Sequence, residues 1–212
     1  GGYVPEDFIS NKDLEKMVDT NDEWITARTG IKKRRILKKK GKATSYLAVN
    51  AANDLINKKE LDPNTIDLVI VSTITPDFHG ASTAPTVASQ INASNAYAFD
   101  INAACSGFLF GMSTATSYIE SGRYKKVLLI GADMMSSIVD YTDRSTSILF
   151  GDGAGAVLIE PSDNDFGWED EFLRSDGIGA EWLKIKAGGS LYPTSKETFE
   201  KKWHYITQLS LI

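Results

Sequence analysis

The sequence contains one cysteine, Cys105, among its 212 residues. A single cysteine cannot form a disulfide within the chain, which is typical of proteins in a reducing compartment, so we expect a cytoplasmic location. Histidine is nearly as scarce, because the only two are His79 and His204. No histidine or cysteine recurs at the spacing of metal ligands, and this argues against a zinc site.

Long apolar runs are missing as well. No stretch approaches the about 20 consecutive apolar residues that cross a bilayer. The amino end, GGYVPEDFIS, has no basic region followed by an apolar one. We therefore expect neither a membrane-spanning helix nor a signal peptide. The first residue is glycine, which is compatible with numbering that begins inside a longer chain.

The chain also lacks an excess of positive charge, because 23 basic residues face 28 acidic ones, a net charge of −5. Eight of the basic residues nevertheless fall in residues 31–42, IKKRRILKKKGK, where no acidic residue occurs. Such a cluster attracts phosphates or an acidic protein, or else forms a solvated loop or strand edge. A chain this acidic elsewhere is not expected to bind duplex nucleic acid.

Short apolar, β-branched stretches alternate with stretches of helical periodicity, and 42% of the residues are hydrophobic. The predicted strands are residues 66–74, 95–101, 126–133 and 155–161. The predicted helices are residues 10–20, 44–59, 82–91 and 105–121. This order predicts an α/β fold with a mainly parallel sheet. After Pro161 the sequence becomes irregular and acidic, and residues 187–198 are expected to form a loop.

Local signals set the expected ends of these helices. Ser10 or Asn11 is the predicted cap of the first helix and Thr44 that of the second, while Pro85 is tolerated in the first turn of the third. The fourth helix is expected to end at Gly122. Its predicted apolar face consists of Phe108, Met112, Ala115 and Ile119.

Cys105 lies where a predicted strand ends and a predicted helix begins. The amino terminus of a helix presents unpaired N–H groups and the positive end of the helix dipole. Both features favour the thiolate over the thiol, and the N–H groups can help to hold an oxyanion. The small flanking residues of NAACSG leave room for a substrate carbonyl. Cys105 is therefore either a nucleophile or a buried, inert thiol, since free cysteine is commonly buried.

Two other motifs are weaker. Residues 151–156, GDGAGA, fit the loose dinucleotide pattern, but a predicted strand follows them instead of a helix, which argues against nucleotide binding there. No G-x-S-x-G pentapeptide is present, so a serine nucleophile elbow is not expected.

Four separated stretches resemble one family. They are LEKMVDTNDEWITARTGIKKRR (14–35), FDINAACSGF (99–108), SGRYKKVLLIGAD (121–133) and YTDRSTSILFGDGAGAVLIEP (141–161). Together they resemble β-ketoacyl-acyl-carrier-protein synthase III, the condensing enzyme that initiates bacterial fatty acid synthesis. The resemblance extends from residue 1 to about 208, and DEWI-x-x-RTGI is its most specific motif. It implies a thiolase-like layered α-β-α-β-α fold. Residues 1–161 would form the first half, and residues 162–212 the start of the second.

The resemblance also implies roles for individual residues. Cys105 would be the acyl-accepting nucleophile, Trp24 would stack on the adenine of coenzyme A, and Arg28 and Arg144 would contact the same molecule. These residue types suit those roles, because tryptophan offers a flat π face and arginine pairs with phosphate or stacks on a base. A core tryptophan and solvated arginines are the alternatives that the residues alone leave open.

Four departures from the family pattern bear on what the resemblance implies. The family's catalytic histidine and asparagine belong to P-H-Q-A-N-type and G-N-[ST]-type motifs, and neither motif occurs in these 212 residues. Neither His79 nor His204 lies in such a motif. Gly80 stands where family members often carry a bulky aromatic residue beside the acyl pocket. The strand that precedes GGYVPE in the family is absent, and the end, LSLI, leaves the family pattern.

The implied reaction is a decarboxylative Claisen condensation through an acyl-cysteine intermediate. Acyl-coenzyme A would be a substrate rather than a permanently bound cofactor, and malonyl-acyl-carrier protein would be the partner that residues 31–42 receive. A cytoplasmic homodimer is implied, with no nucleic-acid or membrane partner. Two alternatives stay open: another thiolase-type synthase acting on coenzyme A thioesters, of the polyketide or quinolone kind, and a catalytically inactive half-enzyme.

Overall fold

A computed structural model describes residues 1–164 and 167–209. The strands are β1 Gly2–Tyr3, β2 Phe8–Ser10, β3 Lys33–Arg35, β4 Leu68–Ser72, β5 Tyr97–Ile101, β6 Val127–Met134, β7 Asp152–Ile159, β8 Leu183–Ile185 and β9 Ile206–Gln208. The α-helices are α1 Asn11–Leu14, α2 Asp22–Thr29, α3 Thr44–Lys59, α4 Thr83–Gln90, α5 Gly107–Glu120, α6 Arg144–Ser147 and α7 Lys196–Glu200. None of the helices in these described ranges has the length and apolar character that crossing a bilayer requires.

The chain divides into two compact units. The first contains Gly1–Glu6, Leu37–Met134 and Asp152–Leu173. The second contains Asp7–Ile36, Met135–Gly151 and the residues from Arg174 onwards. The division into halves at residue 161, which the family resemblance implies, concerns the duplicated fold and stays a prediction.

A five-stranded sheet in the order β1-β7-β6-β4-β5 forms the centre of the first unit. β4 pairs in parallel with both β5 and β6, whereas β7 is antiparallel to β6 and β1 is antiparallel to β7. The expected α/β class is confirmed, but the sheet is mixed rather than mainly parallel. The reason lies in the connection from β6 to β7, whose only α-helix is the one-turn α6, so no crossover helix of the kind that joins parallel strands precedes β7.

Helices cover both faces of this sheet. On β4, Val69 and Val71 contribute to the cluster that includes α3 and α4, while Leu68 and Ile70 contribute to the cluster that includes α5. Every residue of β4 is buried, as expected for a strand covered on both sides. The predicted apolar face of α5 is confirmed, because Phe108, Met112, Ala115 and Ile119 belong to that second cluster.

Two expected details of the first unit are wrong. Helix α3 covers the predicted residues, but its N-cap is Ala43, and the Thr44 hydroxyl instead donates to the backbone oxygen of Thr75 at 2.5 Å. β7 begins at Asp152, so the GDGAGA motif lies largely inside a strand. A glycine-rich motif within a strand has no helix amino terminus to offer a phosphate, which supports the exclusion of nucleotide binding there.

The second unit contains two small antiparallel pairs, β2 with β3 and β8 with β9. Its core cluster includes Leu14, Ile25 and Ile148. The helix predicted over residues 10–20 is only the single turn α1, capped by Ser10. Met17 stays 47% exposed, so no apolar face stabilises a longer helix. The predicted loop 187–198 is also shorter than expected, because α7 begins at Lys196 behind a Ser195 capping box.

Candidate active site

Cys105 lies where the sequence placed it, between the end of β5 and the start of α5 in the first unit. A 3₁₀ turn, Ala104–Ser106, follows β5 after two residues and leads directly into Gly107. The cysteine is free and exposed. A buried thiol is therefore not what the structure shows, and Cys105 lies exposed at the amino end of a 14-residue helix. Its role as the nucleophile stays a prediction.

The residue before Cys105 has an unusual backbone conformation. Ala104 has a φ of +47°, in the left-handed region that residues with a β-carbon rarely adopt. Such a conformation costs on the order of 1–2 kcal/mol and persists only where the surrounding structure imposes it. Strain of this kind is concentrated at functional sites, and here it sharpens the bend that presents the thiol.

Small residues let α5 approach the sheet closely. A β-carbon on Gly107 would lie 2.1 Å from the hydroxyl oxygen of Ser72 at the end of β4, and one on Gly111 would lie 2.6 Å from a methyl carbon of Leu129 on β6. Ala115, one turn further, is fully buried. These contacts fix the helix against the sheet, and they thereby fix the position of Cys105 at its amino end.

Two carboxylates at the ends of parallel strands hold the neighbouring loops. Asp100, on β5, accepts hydrogen bonds from the backbone N–H groups of Thr83 and Ala84 at 2.6 and 2.7 Å and so caps α4. Asp133, on β6, accepts from the Thr73 hydroxyl and the Ile74 N–H, both at 2.9 Å. The sequence analysis missed both residues, although an acidic residue ending an apolar strand was a visible signal.

The second unit brings Trp24, Arg28 and Arg144 together. The guanidinium carbon of Arg28 lies 4.3 Å from the centre of the Trp24 ring, and that of Arg144 lies 5.1 Å from it. Arg144 also donates to the backbone oxygen of Asp19 at 3.1 Å. Trp24 is half-buried and both arginines are exposed. Trp24 thus packs partly against the core cluster of this unit, and two solvated arginines flank its ring.

Helix α2 is well defined at both ends. The Asn21 side chain accepts a hydrogen bond from the Trp24 N–H at 2.8 Å, and Gly30 ends the helix with a φ of +70°. Asp22 and Glu23 lie in the first turn and Arg28 lies in the last, which suits the helix dipole. The motif NDEWITARTG therefore encodes one short helix that holds Trp24 and Arg28 four residues apart on the same side.

The basic segment 31–42 is not uniformly solvated. Arg34 is 3% exposed, whereas lysines at both ends of the segment are exposed. The ammonium groups of Lys39 and Lys42 lie 5.1 and 5.3 Å from the Tyr46 ring. One arginine of the cluster is thus structural, and the exposed lysines are the ones available to an acidic partner.

Neither histidine sits in a catalytic arrangement. His79 is exposed in the loop between β4 and α4, and the ring of His204 stacks on Phe199 with 5.0 Å between the centres. Within the described residues, His, Cys, Asp and Glu side chains form no cluster of three or more that could hold a metal ion.

The chain is similar to known condensing enzymes. Residues 99–177 match the family described as 3-Oxoacyl-[acyl-carrier-protein (ACP)] synthase III. The Beta-ketoacyl-[acyl-carrier-protein] synthase III of Chlorobium chlorochromatii (strain CaD3) is 57% identical over 208 residues, which make up 97% of this chain and 63% of that protein. The chain thus spans less than two thirds of the length of this curated relative.

Solved structures give the same result. The crystal structure of 3-oxoacyl-[acyl-carrier-protein] synthase III from Aquifex aeolicus VF5 matches with a TM-score of 0.74 and 50% identity, covering 77% of this chain and 53% of that one. The priming β-ketosynthase of the R1128 polyketide biosynthetic pathway matches with a TM-score of 0.83 and 33% identity, over 98% of this chain and 61% of that one. The predicted resemblance and the thiolase-type fold are confirmed.

Proposed function

We propose that this chain is the nucleophile-bearing part of a β-ketoacyl-acyl-carrier-protein synthase III, an acyltransferase that starts fatty acid synthesis. The observation that carries the proposal is the setting of Cys105. Its thiol is exposed, and it follows Ala104, whose backbone has a left-handed conformation. It precedes helix α5, which packs closely against the sheet. The similarity to synthase III enzymes over 97% of the chain supports the reaction class.

In the proposed first step, the Cys105 thiolate attacks the thioester carbonyl of acyl-coenzyme A. The tetrahedral oxyanion forms beside the amino end of α5, whose N–H groups can stabilise it. The carbonyl then re-forms, the bond to the coenzyme A sulfur breaks, and the acyl group stays on Cys105 as a thioester. Covalent catalysis thus divides one transfer into two easier steps.

In the second step, malonyl-acyl-carrier protein loses carbon dioxide and leaves a thioester enolate. The enolate carbon attacks the acyl-Cys105 carbonyl, the carbon–sulfur bond to Cys105 breaks, and the thiolate is regenerated as the ketoacyl product forms. Stabilising the enolate oxygen is the task that the family assigns to its histidine and asparagine. Neither of their motifs occurs in these 212 residues.

Substrate binding is proposed for the basic and aromatic residues of the second unit. Trp24 would stack on the adenine of coenzyme A, while Arg28 and Arg144, now folded against the indole, would pair with its phosphates or base. The exposed lysines of segment 31–42 would receive the acidic carrier protein. Acyl-coenzyme A is in this proposal a substrate, and no permanently bound cofactor is required.

We further propose a homodimer located in the cytoplasm. Among the strands of residues 1–164 and 167–209, β5 is the edge of the central sheet and pairs with β4 alone. Tyr97 on this strand is 57% exposed. An exposed strand edge invites pairing with a second strand, and a second copy of the chain would supply it. The single free thiol supports a reducing compartment.

A polyketide-type priming synthase is the second candidate, because the R1128 priming β-ketosynthase shares 33% identity and the same fold. The two candidates differ in the starter acyl group. Turnover of full-length protein with acyl-coenzyme A starters of increasing acyl length distinguishes the two candidates. A preference for acetyl-coenzyme A together with the fatty-acid carrier protein supports the synthase III of fatty acid synthesis.

The deciding experiment is intact-mass spectrometry of the full-length protein with acetyl-coenzyme A, followed by malonyl-acyl-carrier protein. We expect a mass gain of one acetyl group at Cys105, its loss when the malonyl donor is added, and a ketoacyl product. Cys105→Ala should show none of these. A protein that labels no faster with acetyl-coenzyme A than Cys105→Ala does would instead be catalytically inactive.

A further inference from the structure

Arg34 is an interior arginine that bonds to two different helices of the second unit. Its Nε atom donates to the backbone oxygen of Ile148 at 2.9 Å, and its Nη2 atom donates to the same oxygen. Its Nη1 atom donates to the side-chain oxygen of Asn11. The side chain is 3% exposed, so these bonds form away from solvent, where they fix geometry most strongly.

One arm of this arrangement reaches α6. Ile148 is the C-cap of that helix, and Arg144 is its first residue. Helix α6 is only one turn long and has little stability of its own. The two hydrogen bonds from Arg34 to the Ile148 carbonyl hold its end in place. The guanidinium of Arg34 therefore restrains the backbone from which Arg144 projects.

The other arm reaches α2 through Asn11. The amide nitrogen of Asn11 donates to the carboxylate of Asp22 at 2.6 Å and to the hydroxyl of Thr26 at 3.3 Å. Asp22 is the first residue of α2, which carries Trp24 and Arg28. The chain of bonds Arg34–Asn11–Asp22 thus ties the same guanidinium to the helix that presents the indole.

Burying the guanidinium of Arg34 has an unfavourable desolvation free energy. Both of its hydrogen-bond acceptors are uncharged, and the nearest carboxylate in the network, Asp22, is reached only through the Asn11 amide. Burial lowers the pKa of the Arg34 guanidinium, because a desolvated charge is disfavoured. Apolar residues commonly replace buried charged groups without loss of stability. A planar five-donor fork, in contrast, fixes the separation of two elements in a way that neither lysine nor leucine can.

We propose that Arg34 is a positioning residue that sets the distance between Trp24 on α2 and Arg144 on α6, and thereby the affinity for the nucleotide part of coenzyme A. This inference rests on the proposed function of that pair. It predicts a selective defect: substrates that carry the nucleotide lose affinity, whereas the same acyl thioester without a nucleotide does not. A merely structural arginine would affect both substrates equally.

The test uses full-length protein and two substrates, acetyl-coenzyme A and acetyl-pantetheine, which lacks the nucleotide. Arg34→Lys keeps the charge but loses the fork, and Asp22→Ala cuts the network at α2. Lys12→Gln, at an exposed position on α1 next to Asn11, is the matched control. We expect both variants to raise the KM for acetyl-coenzyme A about tenfold or more. Their kcat, and their KM for acetyl-pantetheine, should stay within about twofold of the unaltered protein.

The measurements distinguish a failure of the positioning role of Arg34 from a failure of the proposed coenzyme A site. An unchanged ratio of the two KM values in Arg34→Lys and Asp22→Ala overturns the positioning role, while the proposed function stands if Trp24→Ala still weakens coenzyme A binding. If Trp24→Ala has no effect on that binding, the proposed nucleotide site itself is wrong. Asp22 is partly exposed, so Asp22→Ala decides the matter alone if Arg34→Lys does not fold.

Discussion

Gly107 lies so close to Ser72 that a β-carbon at position 107 would force the Ser72 hydroxyl to move. A β-carbon at Gly107 would lie 2.1 Å from the Ser72 hydroxyl oxygen and 3.5 Å from the Ser72 β-carbon. The first distance is impossible for real atoms, whereas the second is ordinary van der Waals contact. Because residue 107 is glycine and lacks a methyl group, the start of α5, two residues after Cys105, can contact the end of β4 closely.

The first prediction follows from this match. Gly107→Ala should lower the free energy of unfolding by about 1–3 kcal/mol, because the added methyl group overpacks the helix–sheet contact. It should also slow acylation of Cys105. Ser72→Ala removes the offending oxygen, so the double variant should recover most of both losses. Urea unfolding and acetylation rates of the single and double variants measure this coupling, and additive effects of the two substitutions would contradict it.

The sequence predicted these elements well where periodicity and packing agree. Helix α3 covers the predicted residues 44–59, and β4 lies inside the predicted strand 66–74. The sequence predicted secondary structure poorly where tertiary contacts determine the length or direction of an element. The polar stretch around Met17 has helical propensity but nothing to pack against, and the direction of β7 depends on the whole segment 135–151 rather than on its own residues.

The second prediction concerns the nucleotide site in the second unit. Trp24→Ala should weaken coenzyme A binding by about 1–3 kcal/mol, the range found for loss of base–aromatic stacking. Arg28→Ala should also weaken it, but its effect should shrink as the salt concentration rises, because exposed charge pairs are screened. Calorimetric titration at low and high salt compares the two variants. A salt dependence that is equal in both would exclude the proposed phosphate contact of Arg28.

The third prediction concerns the edge strand β5. The N–H of Tyr97 donates to Asp67 and the oxygen of Ile101 accepts from Thr73, so these two residues turn their backbone groups towards the β4 side. Because backbone direction alternates, Ala98 and Asp100 present theirs to the open edge. In the part of the chain that the structure describes, no strand pairs with this edge. We expect a strand of a second copy of the protein to pair with β5 here.

A charge on that edge should therefore prevent association. Tyr97→Lys in the full-length protein is expected to shift the mass in light scattering from dimer towards monomer at micromolar concentration, because an edge lysine opposes strand pairing. Leu191→Lys, at another exposed apolar position, is the control and should leave the mass unchanged. A monomer mass for the unaltered protein would itself rule out the homodimer.

The fourth prediction is a pH dependence of stability at Asp22. The hydrogen bond from the Asn11 amide lowers the pKa of this carboxyl, partial desolvation opposes the shift, and the charge of Lys32 adds to the lowering. A carboxyl whose pKa is lower in the folded state binds fewer protons there than in the unfolded chain. Its contribution is therefore present above the unfolded pKa of about 3.9 and is lost as the pH falls through the folded value.

Urea unfolding from pH 6 to pH 3 tests this dependence. Asp22→Asn should be less stable than the unaltered protein at pH 6, and the difference should narrow as the pH falls towards 3. Asp163→Asn, which changes an exposed carboxylate, should show no such convergence. A difference that persists unchanged at pH 3 would mean that Asp22 acts through something other than its charge.

The candidate site was only partly predictable for a physical reason. Cys105 could be identified because it is the one cysteine in the sequence and lies where a predicted strand meets a predicted helix, whereas Trp24 was indicated by the family resemblance. Arg34 could not, because an arginine in a basic run resembles a solvated surface charge. Asp100 and Asp133 offered only the signal of an acidic residue that ends an apolar strand. Their roles depend on burial and on hydrogen bonds to distant parts of the chain, such as the bond from Arg34 to Ile148, and only the fold creates those contacts.

The last prediction concerns what these 212 residues do by themselves. Acylation of Cys105 needs a nucleophilic thiolate and oxyanion donors, and the start of α5 offers backbone N–H groups that can act as such donors. Condensation also needs the enolate oxygen to be stabilised as malonate loses carbon dioxide. Within the described residues, His79 is exposed in a loop and His204 stacks on Phe199, so neither is placed for that task.

We therefore expect the isolated chain to take up an acetyl group slowly at Cys105 and to form no ketoacyl product when malonyl-acyl-carrier protein is added. Mass spectrometry of the chain before and after each addition measures both steps, with Cys105→Ala as the control for acylation. Full-length protein should complete the second step under the same conditions. Turnover by the isolated chain of about 1 per second or more, a rate typical of enzymes, would show that His79 or His204 had been misjudged. Replacing each in turn with alanine would then identify the residue responsible.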